Sequence, residues 1–194
     1  MRNVIRAAAM VLALAVAGPA VAGQFEDAMA AYQREDFLTA RQLWQPLGDQ
    51  GDAAAQFSLG FMYQKGKGVP QDDMLAVKWY RQAADQGLAN AQNNLGLMYH
   101  NGQGVPQDYR LAVKWNRQAA DQGLAGAQNN LGFMYYNGQG VPKDYVLAYM
   151  WSNLAAAGGD PKTLELRDAL EAKMTATQIV EAQLLSREWK PKTK

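Results

Sequence analysis

A block of 36 residues occurs three times in direct succession, at 53–88, 89–124 and 125–160. The first two blocks are identical at 26 of 36 positions and the last two at 23, with no insertion or deletion between them. A fixed period of this size is typical of a solenoid, in which each unit buries its apolar face only against its neighbours. The period therefore predicts a stack of equivalent units, an architecture that usually binds other molecules.

Each unit carries the signals of two helices. In the first unit, one helix is predicted to end at Gly66, because glycine readily adopts the left-handed backbone of a C-cap. The loop Gly66–Pro70 cannot continue a helix, and Asp72 offers an N-cap oxygen to a second helix that ends at Gly87. The same signals recur in the other units, at Gly102, Gly104, Pro106, Asp108 and Gly123, and at Gly138, Gly140, Pro142, Asp144 and Gly159. Each unit is therefore predicted to be a helical hairpin.

Small residues recur inside the first helix of each unit, at Gly60, Gly96 and Gly132. Glycine in the middle of a helix costs about 1 kcal/mol relative to alanine. We therefore expect the backbone of a neighbouring helix to pass too close there for a side chain. The large aromatic residues are predicted to fill the core against these small ones: Trp79, Trp115, Trp151, Tyr63, Tyr99 and Tyr135.

Both ends of the array depart from the repeat. Residues 23–52 resemble a shortened, divergent hairpin, with Arg34-Glu35-Asp36 in place of the glycine-rich loop. Residues 161–189 are predicted to form two capping helices, divided near Met174, with Asp160 as N-cap and Pro161 as first helical residue. Residues 190–194 form a basic tail that we expect to be disordered. Terminal units that differ from the rest suit an array whose ends face water.

Residues 1–22 have the pattern of a secretory signal peptide. A basic segment ending at Arg6 precedes the apolar run Ala7–Ala17, and Ala20-Val21-Ala22 supplies the small residues of a cleavage site. The apolar run is shorter than the ~20 residues that span a bilayer, and no later stretch is long enough. We therefore expect an exported protein, periplasmic or secreted, without an integral membrane segment after cleavage.

Composition excludes several classes of function. Removing Arg2 and Arg6 from the 19 basic residues leaves 17 against 18 acidic ones, a formal net charge of −1 that argues against nucleic-acid binding. The chain has one histidine and no cysteine, so multi-histidine and thiolate metal sites are excluded. None of the serines at 58, 152 and 186 lies in a nucleophile motif. The sequence therefore predicts neither an enzyme nor a cofactor or metal site.

The repeated string resembles a known family. Ala-x-x-x-Leu-Gly-x-x-Tyr-x-x-Gly-x-Gly-Val-Pro-x-Asp-x-x-x-Ala-x-x-Trp-x-x-x-Ala-Ala-x-x-Gly, at 55–87, 91–123 and 127–159, is similar to the Sel-one-like repeat (SLR), a relative of the tetratricopeptide repeat. The resemblance implies an all-α fold, a right-handed superhelical solenoid of stacked antiparallel helix hairpins. It also implies a scaffold or adaptor in protein–protein interactions, such as the exported bacterial members. Relatives with a disulfide in each repeat and affinity for penicillin-like compounds are poorly matched, since this chain lacks their cysteines.

Helix geometry predicts a candidate binding surface. Positions half a turn away from the predicted core residues share one face of each first helix. In tetratricopeptide relatives this face lines the concave groove that holds extended peptides. We call the predicted set the first-helix stripe; it comprises Phe57, Phe61, Gln64, Asn93, Leu97, His100, Asn129, Phe133 and Tyr136. Amide side chains would bond a peptide backbone there, and apolar ones would hold its side chains. Alternatively, asparagines such as Asn93 and Asn130 are polar surface or link adjacent hairpins.

Two classes of function remain open from the sequence. The first is a non-enzymatic scaffold or regulator of the bacterial envelope that binds an extended peptide or protein on its concave face. The second is a hydrolase or an envelope protein that binds β-lactams or peptidoglycan, with the basic tail as a contact for the envelope polymer. The sequence identifies no nucleophile or general base for a hydrolase.

Overall fold

The structure, a computed structural model, describes residues 19–157 and 161–192. Within these ranges the chain forms ten α-helices and no β-strand, which confirms the predicted all-α repeat fold. The helices are α1 (Pro19–Gln33), α2 (Phe37–Asp49), α3 (Ala53–Lys65), α4 (Asp73–Asp85), α5 (Ala89–Asn101), α6 (Tyr109–Asp121), α7 (Ala125–Asn137), α8 (Tyr145–Ala156), α9 (Pro161–Glu171) and α10 (Ala176–Glu188).

The ends of the repeat helices follow from local chemistry. The carboxylate of Asp72 accepts the backbone N–H of Leu75 at 2.9 Å, which caps α4, and Asp108 and Asp144 cap α6 and α8 in the same way. The first helices end at glycines with left-handed backbone, Gly66, Gly102 and Gly138. These caps confirm the predicted helix boundaries. The expected last glycine, Gly159, and the expected N-cap Asp160 lie outside the described residues.

The glycines in the middle of the first helices lie closest to a side chain of the partner helix, and two of them also lie close to its backbone. A Cβ atom on Gly60 would lie 2.7 Å from the ring of Tyr80, and one on Gly96 would lie 2.5 Å from the amide nitrogen of Asn116. A Cβ on Gly132 would lie 2.5 Å from the hydroxyl oxygen of Ser152. In each case the residue 20 positions later on the partner helix is closest. The expected close backbone is found at Gly96 and Gly132, where carbonyl oxygens of the partner helix lie 3.3 Å from the Cβ positions, but at Gly60 the three nearest atoms all belong to Tyr80.

Adjacent units approach most closely through the second glycine of each loop. Gly104 has φ of 66°, and a Cβ there would lie 2.2 Å from the carbonyl oxygen of Asp73 in the preceding unit. At Gly140 the corresponding distance, to the carbonyl oxygen of Tyr109, is 2.3 Å. Only glycine fits, since both the backbone conformation and the contact exclude a side chain.

Buried glutamines also join consecutive units. The side-chain amides of Gln56, Gln92 and Gln128 donate to the carbonyl oxygens of Gly48, Ala84 and Ala120, at 3.0, 3.1 and 3.3 Å. These three glutamines are at most 4% exposed. A buried amide is tolerated because it donates to a carbonyl at the end of the preceding helix, which accepts this bond in addition to one from the backbone N–H three residues later. These links were missed in the sequence, although the glutamine recurs every 36 residues beside buried alanines.

The two ends are built differently. At the N-terminus α1 and α2 pack as a hairpin around Trp44, which is 2% exposed. At the C-terminus α9 and α10 both pack on α8, and Thr175 and Gln178 cap α10 reciprocally. The predicted signal peptide lies mostly outside the described residues, but α1 begins at Pro19, so cleavage after Ala22 would remove its first four residues. No helix in the described ranges is both long and apolar enough to cross a membrane.

The tail expected to be disordered is docked along part of its length. The backbone N–H of Lys192 donates to the carbonyl oxygen of Asp121, 71 residues earlier, at 2.7 Å. Its ammonium group also lies 2.7 Å from the Asp121 carboxylate. The prediction failed because a basic composition reveals nothing about a distant acidic partner; residues 193–194 lie outside the described ranges.

Candidate binding surface

The first-helix stripe lies on the less buried side of α3, α5 and α7. The opposite side of these helices is packed in the core, where Leu59, Leu95 and Leu131 are fully buried. On the stripe, Leu97 is half-buried and Phe133 is 39% exposed. The structure thus leaves an apolar edge on successive units accessible to another molecule.

The stripe residues of α3 are partly used by the chain itself. The ring of Phe57 lies 5.7 Å from that of Tyr80, and the ring of Phe61 lies 6.4 Å from that of Tyr32. The Tyr80 hydroxyl donates to the side-chain oxygen of Gln64 at 2.9 Å. Burial raises the pKa of Tyr80, so its hydroxyl remains a donor at neutral pH. At this end of the array the stripe residues therefore already contact other side chains of the chain, which leaves less of their surface for a partner.

The asparagines of α5 and α7 divide between two roles. The side-chain nitrogen of Asn130 donates to the side-chain oxygens of Asn93, at 2.9 Å, and Asn116, at 3.1 Å. Asn93 and Asn130 thus join neighbouring hairpins, one of the two alternatives open from the sequence. The side-chain oxygen of Asn129 is buried without a hydrogen-bond partner in the described part of the chain. A buried acceptor of this kind costs free energy unless a further group bonds it.

His100 occupies a polar junction between two units. Its ring Nδ1 lies 2.9 Å from the side-chain oxygen of Asn101, and Nε2 lies 3.2 Å from that of Gln139 in the next unit. The ring also meets Tyr109 edge-on at 5.2 Å. The described residues contain no cluster of three or more histidine, cysteine, aspartate or glutamate side chains that could hold a metal ion. These contacts give His100 a linking role on the stripe.

The C-terminal segment reaches the end of the stripe at Tyr136. The ammonium group of Lys173 donates to the Tyr136 hydroxyl and lies 4.7 Å from the centre of its ring. This hydrogen bond raises the pKa of Lys173. Tyr136 also packs against Tyr145, with ring centres 5.8 Å apart. The most accessible apolar part of the stripe is therefore around Leu97 on α5 and Phe133 on α7.

Two clefts of about 340 Å³ lie elsewhere, on the second helices. We call the first the Trp115 cleft; it is lined by Ala84, Asp85, Gln92, Lys114, Trp115, Gln118, Asp121, Gln122 and Lys192. The second lies beside α4 and the loop at Gly104. Neither cleft includes a residue of the first-helix stripe. Sequence reasoning favoured a core role for the repeated tryptophans over a ligand cage; Trp115 is buried as expected, but the cleft beside it was not predicted.

Comparison with known proteins identifies the repeated unit. A family model described as the Sel1 repeat matches residues 53–88, 89–124 and 125–160. The structure is similar to a crystal structure of a Sel1 repeat protein from Oxalobacter formigenes, with 36% sequence identity and a TM-score of 0.68, covering 72% of this chain and 57% of that one. It is also similar to a protective antigen present in uropathogenic Escherichia coli strains that displays an SLR fold.

The second similarity has 30% sequence identity and a TM-score of 0.61, and covers 87% of this chain and 45% of the antigen. The chain thus spans only about half the length of these two structures. No curated protein matches the chain.

Proposed function

Because the chain belongs to the Sel1 repeat family, whose members are generally protein-interaction scaffolds, we propose that it is a non-enzymatic scaffold for a peptide or protein. The proposed binding surface is the first-helix stripe, and the central observation is the 39% exposure of Phe133 on α7. An apolar ring left accessible beside the half-buried Leu97 of the preceding unit suits a partner that lies across both units.

Polar groups beside this apolar edge add specificity. Asn129 lies on the same helix as Phe133; its side-chain oxygen is buried, but the side chain as a whole is half-buried and adds polar surface beside the ring. His100 and Gln139 form a second polar position nearby, where their side chains already link two units. We propose that the partner buries the apolar edge and bonds the accessible polar groups beside it.

We further propose that the scaffold works in the bacterial envelope, periplasmic or secreted. The support is the basic and apolar pattern of residues 1–22, followed by Ala-Val-Ala. The test is mass spectrometry of the protein recovered from the periplasm or medium of a Gram-negative host. An N-terminus at Gly23 is expected, whereas recovery of an intact N-terminus in the cytoplasm would contradict export.

A peptidoglycan-binding role receives less support. The basic tail that would contact such a polymer has one of its lysines, Lys192, already paired with Asp121. We therefore place the partner among proteins and peptides.

The stripe is tested by site-specific crosslinking in the envelope. A photoreactive phenylalanine analogue at position 133 should crosslink to a defined protein, while the same analogue at Met74, 70% exposed on the second helix α4, should not. With the purified partner, Phe133→Ala should weaken binding about tenfold, because burying the exposed part of its aromatic side chain contributes ~1.4 kcal/mol. Met74→Ala is the matched control. Equal crosslinking at both positions, or equal affinity of both variants, would reject the stripe as the binding surface.

A further inference from the structure

The docked tail shows how one surface of the second helices binds a peptide segment. Lys192 bonds Asp121 through both its backbone N–H and its ammonium group. Trp189 meets Trp151 edge-on, with ring centres 6.2 Å apart, and Pro191 lies beside Gly123. We call this place, formed by Asp121, Gly123 and Trp151, the tail site. It holds a tryptophan and, three residues later, a lysine.

Two of the three residues of the tail site recur in an accessible cleft one unit earlier, whereas the third, the glycine, is buried there. Thirty-six residues before the tail site, the sequence has Asp85, Gly87 and Trp115. Asp85 and Trp115 line the Trp115 cleft, into which no tryptophan of the described chain is docked. The paired side chains of Asp121 and Lys192 also line this cleft, so it adjoins the tail site. Trp115 is 8% exposed, whereas Trp151, covered by the tail, is 1% exposed. The cleft volume of about 340 Å³ falls within the range of ~300–1,000 Å³ typical of ligand pockets.

The tail site and the Trp115 cleft differ in the residues beside their tryptophans. At the tail site α10 packs on Met150, whose carbonyl oxygen accepts the hydroxyl of Ser186. The Trp115 cleft has the exposed Lys114 at the equivalent position, with its ammonium group 5.2 Å from the centre of the Trp115 ring. An incoming indole would therefore meet both an aromatic edge and a cation, two favourable contacts for its ring. Asp85, exposed and without an ion pair in the described ranges, would accept the lysine.

We propose that the Trp115 cleft binds a peptide segment of another protein in which a tryptophan is followed three residues later by a lysine. This is the chemistry of the chain's own Trp189–Lys192. The tail of a second copy is a poorer occupant, since it is already bound within its own chain at high effective concentration. The surface lies on the second helices, so the proposal goes beyond the function proposed for the first-helix stripe.

The test uses a fluorescein-labelled peptide with the sequence of residues 187–192, Arg-Glu-Trp-Lys-Pro-Lys, titrated with the full chain and followed by fluorescence anisotropy. Saturable binding is expected. Replacing the peptide's tryptophan by alanine should weaken it about tenfold, because the buried indole supplies most of the apolar area. Asp85→Asn in the protein should weaken it about two- to fivefold, as for an exposed ion pair. The matched control is Glu181→Gln, an exposed carboxylate on α10 that should leave binding unchanged.

The position of the peptide separates this site from the tail site. With a photoreactive benzoylphenylalanine in place of the peptide's tryptophan, crosslinks should map to residues 114–118. Crosslinks at 150–154 would show that the peptide merely displaces the chain's own tail, and would overturn the proposal. Absence of saturation up to about 1 mM, or full affinity in Asp85→Asn, would overturn it as well. Dimers of the full chain that excess peptide dissociates would identify a second copy as the occupant and have the same consequence.

Discussion

The repeat units and the C-terminal segment are stabilised by different kinds of contact. Between repeat units the same contact returns every 36 residues, as when Gln56 and Gln92 bond the carbonyl oxygens of the preceding helix. The C-terminal segment uses contacts that occur once, such as the Tyr149 hydroxyl donating to Glu171 at 2.6 Å. Burial and this hydrogen bond raise the pKa of Tyr149. A periodic sequence thus specifies its own interfaces, whereas an end segment must fit one particular helix surface.

The largest effect is expected at the glycine contact between units. Gly104→Ala places a Cβ 2.2 Å from the carbonyl oxygen of Asp73 and forces alanine to a φ near 66°. Strain and overpacking together should lower the free energy of unfolding by about 3 kcal/mol. Urea unfolding of the full chain measures this change. If the interface is truly periodic, Gly140→Ala costs the same.

Gly126→Ala is the control for this prediction. It lies near the start of α7, where a Cβ atom would have a single neighbour, the Asn93 side-chain oxygen at 4.0 Å. Alanine there should leave stability unchanged or raise it by up to about 1 kcal/mol. Equal stability of Gly104→Ala and Gly126→Ala would refute the idea that the loops hold the units together.

A smaller effect on the free energy of unfolding is expected inside a hairpin. Gly132→Ala brings a methyl group to 2.5 Å from the Ser152 hydroxyl, so it should destabilise the protein by about 1 kcal/mol despite the better helix propensity of alanine. In a Ser152→Ala background the same substitution should cost less, because the hydroxyl oxygen is gone and the nearest remaining atom, the carbonyl oxygen of Ala148, lies 3.3 Å from the new Cβ. A double-mutant cycle of unfolding free energies measures this coupling. Additive effects would contradict a direct contact between the two positions.

The smallest effect is expected at the tail. Lys192→Ala removes an ion pair whose lysine side chain is 77% exposed, so the loss should be about 0.5 kcal/mol and should shrink in ~1 M salt. Lys190→Ala, also exposed, is the matched variant and should leave stability unchanged. If Lys192→Ala lowered the free energy of unfolding as much as Gly104→Ala, the repeated contacts would not be stronger than those that occur once, and the comparison would be wrong.

The sequence predicted most of the repeat region, because helix caps are local. The capping by Asp72 and the left-handed glycine at 66 follow from the chemistry of a few neighbouring residues. The partner of Gly60 was misassigned, since only the assembled hairpin shows that Tyr80 fills the space. The docking of Lys192 on Asp121 was missed for the same reason, because it joins residues far apart in the chain.

The binding surface was predicted less completely. Helical spacing placed the first-helix stripe on the accessible side, but it could not separate Asn93, bonded to Asn130, from Asn129, whose side-chain oxygen is unsatisfied in the described part of the chain. Side-chain hydrogen bonds between hairpins depend on rotamers and on distances that a period of 36 does not fix. The role of the stripe in binding remains a prediction.

Lys192 contacts Asp121 at the end of α6 and so links the C-terminal segment to the unit that precedes the last repeat, α7 and α8. An array held only by nearest neighbours frays from its outermost unit. Here local unfolding of α7 and α8 also requires the contacts between Lys192 and Asp121 to break, so the two events are cooperative. Trimming a few C-terminal residues should therefore speed amide hydrogen exchange in α7 and α8, far from the cut in sequence.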